Sequence, residues 1–142
     1  MAIVVAIDES ERSRAAAIEA DKLARVFDDE IRFLHVITEP EHTRLVERQS
    51  TSMQTGTGDV ADNAARDVAD ELPELVSAAY DVVGRIGNPA TEIVEYADEV
   101  DARYVVLARR SRSAVGKAVF GSIVQNVLLN ADCPVITVEP DG

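Results

Sequence analysis

The chain has 142 residues, 46% of them apolar, and carries 26 Asp and Glu against 14 Lys and Arg for a formal net charge of -12. That size and apolar share suit one domain with a sizeable core, while the charge disfavours nucleic acid and anionic membranes as partners. No apolar run approaches the roughly 18 residues that span a bilayer.

The opening MAIVVAIDES has no basic stretch and carries Asp8 and Glu9 where a signal peptide would be cleaved. It reads as a strand, Ile3 to Ile7, of a cytoplasmic protein. From Ser10 to Phe27 the residues Ala16, Ala20, Leu23, Ala24 and Phe27 form an apolar stripe at helical spacing, with Ser10 as N-cap. Phe33 to Ile37 is the second strand pattern. Glu39 to Gly58 is polar and ends in turn formers, so it reads as a flexible loop serving as a lid or a partner surface. Asp59 to Leu72 predicts a helix ended by Pro73. Val82 to Ile86, with Gly84 and Arg85 inside it, is the weakest strand and suits a sheet edge.

Asn88 is placed to cap a helix with Pro89 in its first turn, burying Ile93, Val94 and Ala97. Tyr104 to Ala108 is almost wholly apolar, as a strand buried on both faces should be. Ser122 opens a helix with a stripe of Ile123, Val124, Val127, Leu128 and Ala131, and Val135 to Val138 is the last strand. Strands alternating with helices predict one α/β domain over residues 1–142, an open doubly wound sheet with no dividing linker. Cys133 is the only cysteine; it leaves no internal disulfide and reads as a small packing residue. Lys22 and Lys117 are the only lysines. The carboxylate-rich surface suits a halophilic source, and the lysine shortage also fits a bias in genomic base composition.

Open α/β sheets bind ligands beyond the carboxyl ends of their strands, where strand order reverses. Two segments can meet there: the end of the first strand, with Asp8 and Ser10, and the loop after the fourth, ARRSRSAVGKAVFGS. Gly121-Ser122 opens a helix whose free amides and positive dipole end attract phosphate. Arg109, Arg110, Arg112 and Lys117 add positive charge. Against this, Ser122 can be a plain N-cap and the basic residues a solvated stripe. Other chemistry lacks its motifs. SAVGKA has Ser111 and Ala118 where a Walker A loop needs glycine and Ser or Thr, and G-x-G-x-x-G and G-x-S-x-G are both absent. His35 and His42 have no second His or Cys at metal spacing, and His35 reads as a core or hydrogen-bonding residue. The carboxylates are too dispersed to single out a catalytic pair.

The stretches IVVAIDESERSRAAAIEA, FLHVITEP, GNPATEIVEYADEVDARYVVLA and VFGSIVQNVLLNADCPVITVEP together resemble a single-domain universal stress protein over essentially the whole chain. The resemblance implies a Rossmann-like, five-stranded parallel sheet of order 3-2-1-4-5. It also implies a homodimer paired through the last strand, Val135, Ile136, Thr137 and Val138, and a stress-response role. Many members bind ATP through Gly, two residues, Gly, nine residues, then Gly followed by Ser or Thr. At those positions this chain has Ala108, Ser111, Gly121 and Ser122: the spacing is intact and two glycines are replaced.

By the same resemblance Asp8 and Val36 line the ribose and adenine regions. The implied adenine-nucleotide site is then Ala6, Ile7, Asp8, Ser10, Val36, Leu107, Ala108, Arg110, Ser111, Arg112, Gly121, Ser122 and Ile123. Asp8 is the one residue placed to meet a nucleotide-bound Mg²⁺. The competing reading is a nucleotide-free dimeric module acting through protein partners, with residues 39–58 as its surface. Slow nucleotide hydrolysis is a weaker third.

Overall fold

The computed structural model describes residues 1–52, 60–109 and 121–139. In chain order the elements are β1 (Ala2–Ala6), α1 (Arg12–Phe27), β2 (Glu30–Ile37), α2 (Glu39–Ser52), α3 (Val60–Val68), a 3₁₀ turn (Leu72–Leu75), β3 (Tyr80–Ile86), α4 (Pro89–Glu99), β4 (Tyr104–Ala108), α5 (Ser122–Asn130) and β5 (Val135–Val138). The five strands are parallel in the order β3-β2-β1-β4-β5, as the family resemblance implied. The weak strand with Gly84 inside it lies at an edge.

Strand pleating divides the core into two layers. Ile3, Val5, Phe33 and Val106 face one side and pack on Ala16, Ala17, Ala20 and Ala24 of α1, whose small side chains let the helix lie close to the sheet. Val4, Leu34, Val105 and Leu107 face the other side and pack on Ile93 and Tyr96 of α4 and on Val124 and Val127 of α5. Each fully buried Val, Ile or Leu contributes about 1.5–3 kcal/mol, so the two layers carry most of the stability. β1 pairs with β4 in the register Ile3↔Tyr104, Val4↔Val105, Val5↔Val106. Since α1 covers one face and α5 the other, the chain diverges above this pair, and the carboxyl ends of β1 and β4 open into a cleft.

Three local expectations are corrected. The first concerns residues 39–58, read as a flexible loop: α2 occupies Glu39–Ser52, and residues 53–58 lie outside the described residues. The reason is a capping box at Thr38 and Glu41. Thr38 Oγ1 accepts from the Glu41 amide at 3.4 Å, and Glu41 Oε1 accepts from the Thr38 amide at 3.4 Å. Second, Ser10 does not cap α1; the helix starts at Arg12 after Glu11, because the Ser10 hydroxyl is turned back to Asp8. Third, the helix expected to run to Leu72 ends at Val68, and Pro73 lies inside the following 3₁₀ turn. Asn88 caps α4 as expected, accepting from the Thr91 amide at 3.1 Å.

On α5 only part of the expected stripe is inward. Val124 and Val127 are buried, whereas Ile123, Leu128 and Leu129 are exposed. Among the described residues no helix is long and apolar enough to cross a membrane.

Candidate functional site

Above the β1–β4 divergence lies a cavity of about 210 Å³. Its floor comes from three strand ends: Ala6, Ile7 and Asp8 after β1, Leu34, His35 and Val36 of β2, and Leu107 and Ala108 of β4. Gly121, Ser122, Ile123 and Val124 at the start of α5 form one wall, Pro89 and Ile93 of α4 another, and Arg12 and Ser13 of α1 a third.

The polar pole of the cavity is Asp8. Its Oδ1 accepts from the Ser10 amide at 2.9 Å, from the Ser10 hydroxyl, and from Ser13 Oγ at 3.3 Å. Arg12 stands 3.4 Å from Oδ2 and 3.0 Å from Ser10 Oγ. The Asp8 amide donates to Ser13 Oγ at 2.9 Å, so helix α1 holds the segment at both backbone and side chain. Partial burial is the largest single influence on the carboxyl and pushes it up. The hydroxyl and amide of Ser10, the Arg12 guanidinium and Ser13 together outweigh it and hold Asp8 below its ordinary value. At neutral pH it is therefore a fixed carboxylate, an acceptor for ligand hydroxyls.

Behind it, His35 Nδ1 lies 2.9 Å from the Ile7 carbonyl oxygen. A carbonyl only accepts, so Nδ1 carries the proton, and the bond ties the end of β1 to β2. This bears out the hydrogen-bonding reading of His35.

The second polar part of the lining is the start of α5. Gly121 is the N-cap residue, extended at φ -73° and ψ 171°, and has no side chain with which to cap. Ser122 is the first helical residue rather than the cap. The early amides of α5 therefore point at the cavity without a side-chain cap, an anion-binding arrangement. One basic residue of the loop lies within the described residues. Arg109 is only 8% exposed, and its Nη2 pairs with Glu139 at 3.2 Å, while among the described residues its Nη1 has no hydrogen-bond partner. Leu34 and Val36 of β2, on the side of β1 away from β4, line with Ile93 an apolar end of the cavity fit for a flat ring.

Of the residues singled out in the sequence, Ala6, Ile7, Asp8, Val36, Leu107, Ala108, Gly121, Ser122 and Ile123 line this one cavity. Ser10 stands behind Asp8 and does not line it. Arg110, Ser111 and Arg112 lie outside the described residues. Sequence reasoning missed Arg12, Ser13, Pro89, Ile93 and Val124, which approach from helices, and Leu34 and His35 of β2. Leu34 was within reach, since it shares the pleat face of Val36. Among the described residues no group of three or more His, Cys, Asp or Glu is gathered to hold a metal ion.

The sequence model of the universal stress protein family matches residues 1–139. A universal stress protein of Methanocaldococcus jannaschii is 27% identical over 141 residues, covering 96% of this chain and 81% of that protein. The structure of a universal stress protein from Archaeoglobus fulgidus superposes with a TM-score of 0.70 at 28% identity, over 97% of this chain and 98% of that one. A universal stress protein structure from A. fulgidus in complex with dAMP superposes with a TM-score of 0.66 at 25% identity, over 97% of each chain.

Proposed function

The chain belongs to the universal stress protein family, and from that premise we propose that it binds ATP or a related adenine nucleotide between β1 and β4, as a homodimer with a regulatory role in stress response. The observation that carries this reading is one cavity whose lining runs from apolar β2 residues past the Asp8 carboxylate at the end of β1 to the uncapped start of α5. The apolar β2 end suits a base, the Asp8 carboxylate beside it suits sugar hydroxyls, and the uncapped start of α5 suits phosphate, which is the order in which a nucleotide is built. The dAMP complex of the A. fulgidus relative supports the ligand class. The intact spacing of Ala108, Ser111, Gly121 and Ser122 supports it from the sequence side. A Mg²⁺ ion would arrive on the nucleotide's phosphates, with Asp8 the carboxylate on the cavity wall to meet it.

Linkage provides the test. A ligand present at about 100 times its Kd stabilises the fold by about 2.7 kcal/mol, which raises Tm by several degrees. Millimolar AMP, or ATP with Mg²⁺, is expected to raise the melting temperature of the purified protein. No shift with either refutes the nucleotide reading and leaves the protein-interaction module in its place.

The homodimer reading has its own support. Val105 donates to the Pro134 carbonyl and Arg109 to the Val138 carbonyl, so the backbone polar groups of Ile136 and Val138 are directed at β4. Those of Thr137 then face the free edge. Helix α5 also leaves the large apolar Leu128 and Leu129 exposed. Light scattering is expected to give a dimer, and Thr137→Pro, which removes an outward amide but no bond to β4, a monomer. A wild-type monomer of 15.4 kDa defeats this part.

A further inference from the structure

The sheet has two edges, and they are finished differently. In the β2–β3 ladder the Ile31 amide bonds the Ala79 carbonyl, and the Gly87 amide bonds the Ile37 carbonyl. With Ile31 level with Tyr80 and Ile37 with Ile86, the odd-numbered residues of β3 direct their backbone groups at β2. The even-numbered ones, Tyr80, Val82, Gly84 and Ile86, therefore turn theirs to the free edge. The two central amides of that edge are already taken by carboxylates. Val82 donates to Asp81 Oδ1 at 2.9 Å, and Gly84 donates to Asp62 Oδ1 of α3 at 2.8 Å. Arg66 and Asp70 line the same hollow as Tyr80, Asp81 and Val82, so charge flanks the edge as well. At the β5 edge the Thr137 amide also faces outward, but no side chain among the described residues caps it.

We propose that Asp62 and Asp81 close the β3 edge to strand addition, so that a second copy of this chain is admitted at β5 and not at β3. The β5 half of this rests on the homodimer reading above; the closure of β3 does not. An incoming strand needs the Val82 and Gly84 amides for its own carbonyls. To take them it exchanges a charged acceptor for a neutral one and leaves two carboxylates facing its carbonyl row. Each exchange corresponds to roughly tenfold in association constant. Aspartate suits the task, being short enough to bond a nearby backbone amide. The consequence is topological. With one open edge, two copies about a two-fold axis complete each other and assembly stops. With two open edges each copy is bivalent, and assembly runs on as a fibre.

The test measures molar mass by light scattering across protein concentration, below the melting range, with native secondary structure checked by circular dichroism. Asp62→Ala combined with Asp81→Ala frees both amides, and its mass is expected to rise with concentration to about twice the wild-type mass or beyond. Asp62→Asn combined with Asp81→Asn keeps both Oδ1 acceptors and is expected to stay with wild type. Adding Val82→Pro to the alanine pair removes one outward amide but no bond to β2, so the mass should return towards wild type. That arm separates strand addition from aggregation through unfolding, which a proline in the strand would worsen. An alanine pair with the wild-type mass at every concentration overturns the closure, and so does association that persists with Val82→Pro. Should the alanine pair fail to fold, Asp81→Ala alone keeps the Asp62 bond to Gly84 and is read in the same way. A wild type of one copy that becomes two in the alanine pair refutes pairing through β5 and upholds the closure of β3.

Discussion

Gly84→Ala should be the most damaging single-methyl change in the protein's edge strand. Gly84 lies in β3 under the first turn of α3, and its amide donates to Asp62 Oδ1 at 2.8 Å. A Cβ built on it would stand 2.0 Å from the Ala61 carbonyl oxygen, 2.1 Å from the Ala61 carbonyl carbon and 2.6 Å from the Asp62 amide nitrogen. All three are backbone atoms of a helix, so no rotamer change relieves the clash, and α3 must lift from the sheet. Lifting it strains the packing of Ala61 and Ala65, both buried, at about 1–3 kcal/mol for an overpacked site. It also stretches a hydrogen bond to a carboxylate, at about 1.5–3 kcal/mol. The lower entropy of the unfolded alanine chain returns only about 0.4–1 kcal/mol.

The net is about 2–5 kcal/mol of destabilisation. At about 3–4 °C per kcal/mol for a chain of this length, Tm should fall by roughly 6–20 °C. Thermal melting by circular dichroism at matched protein concentration measures it, with Asp62→Ala as an intermediate case that loses the hydrogen bond but not the packing. No residue of α3 lines the cavity, so below its melting range Gly84→Ala should still bind nucleotide. A variant melting within about 2 °C of wild type, or above it, would mean that α3 does not rest on β3 as described.

Three further outcomes are expected. Asp8→Asn keeps the side-chain shape but loses the fixed carboxylate, so AMP affinity measured by calorimetry should fall roughly tenfold or more; a change below twofold would remove Asp8 from the sugar pole. Ala108→Gly combined with Ser111→Gly restores the glycines of the family pattern and should tighten AMP binding if those side chains crowd the phosphate, whereas unchanged or weaker binding refutes that account. The third concerns acid stability. Asp29 is buried, and the Arg103 hydrogen bond, the largest influence, lowers its carboxyl against the opposing effect of burial, helped by the Met1 amino group. A carboxyl lowered on folding adds stability above its unfolded value, about 3.9, and loses it as pH falls through the folded value. Asp29→Asn should therefore melt below wild type at pH 7, and the gap should close under acid. A gap that persists unchanged to pH 2 would show that the ion pair is not its source.

The fold was legible because its strands are buried on both faces. Ile3 to Val5 and Val105 to Leu107 are apolar without alternation, which points to a parallel sheet before any coordinates exist. Strand ends were legible for the same reason: once strands 1 and 4 adjoin, Ile7, Asp8, Leu107 and Ala108 must meet. α2 escaped because Leu45 and Val46 are the only large apolar residues between Glu39 and Arg48. Its signal was Thr38 followed three residues later by Glu41, a capping box that needs no apolar stripe. Arg12, Ser13, Pro89 and Ile93 escaped because they reach the cavity through the approach of whole helices, which depends on packing rather than on local pattern.

The basic residues after β4 show where sequence reasoning stops for a physical reason. Arg109, Arg110, Arg112 and Lys117 read alike in the sequence as positive charge near a phosphate-binding turn. A solvated arginine takes water and mobile ions as its partners and, in a chain of net charge -12, is screened over a few ångströms in strong salt. A buried one sits in a medium of lower dielectric, where an unpaired arm is costly and a correctly placed anion is bound strongly. Charge is a property of the residue, but its worth is a property of its surroundings. What separates Arg109 from a generic basic residue is the enclosure of its guanidinium beside Glu139, set by the pairing of β4 with β5, strands that lie far apart in the chain and adjacent in the sheet.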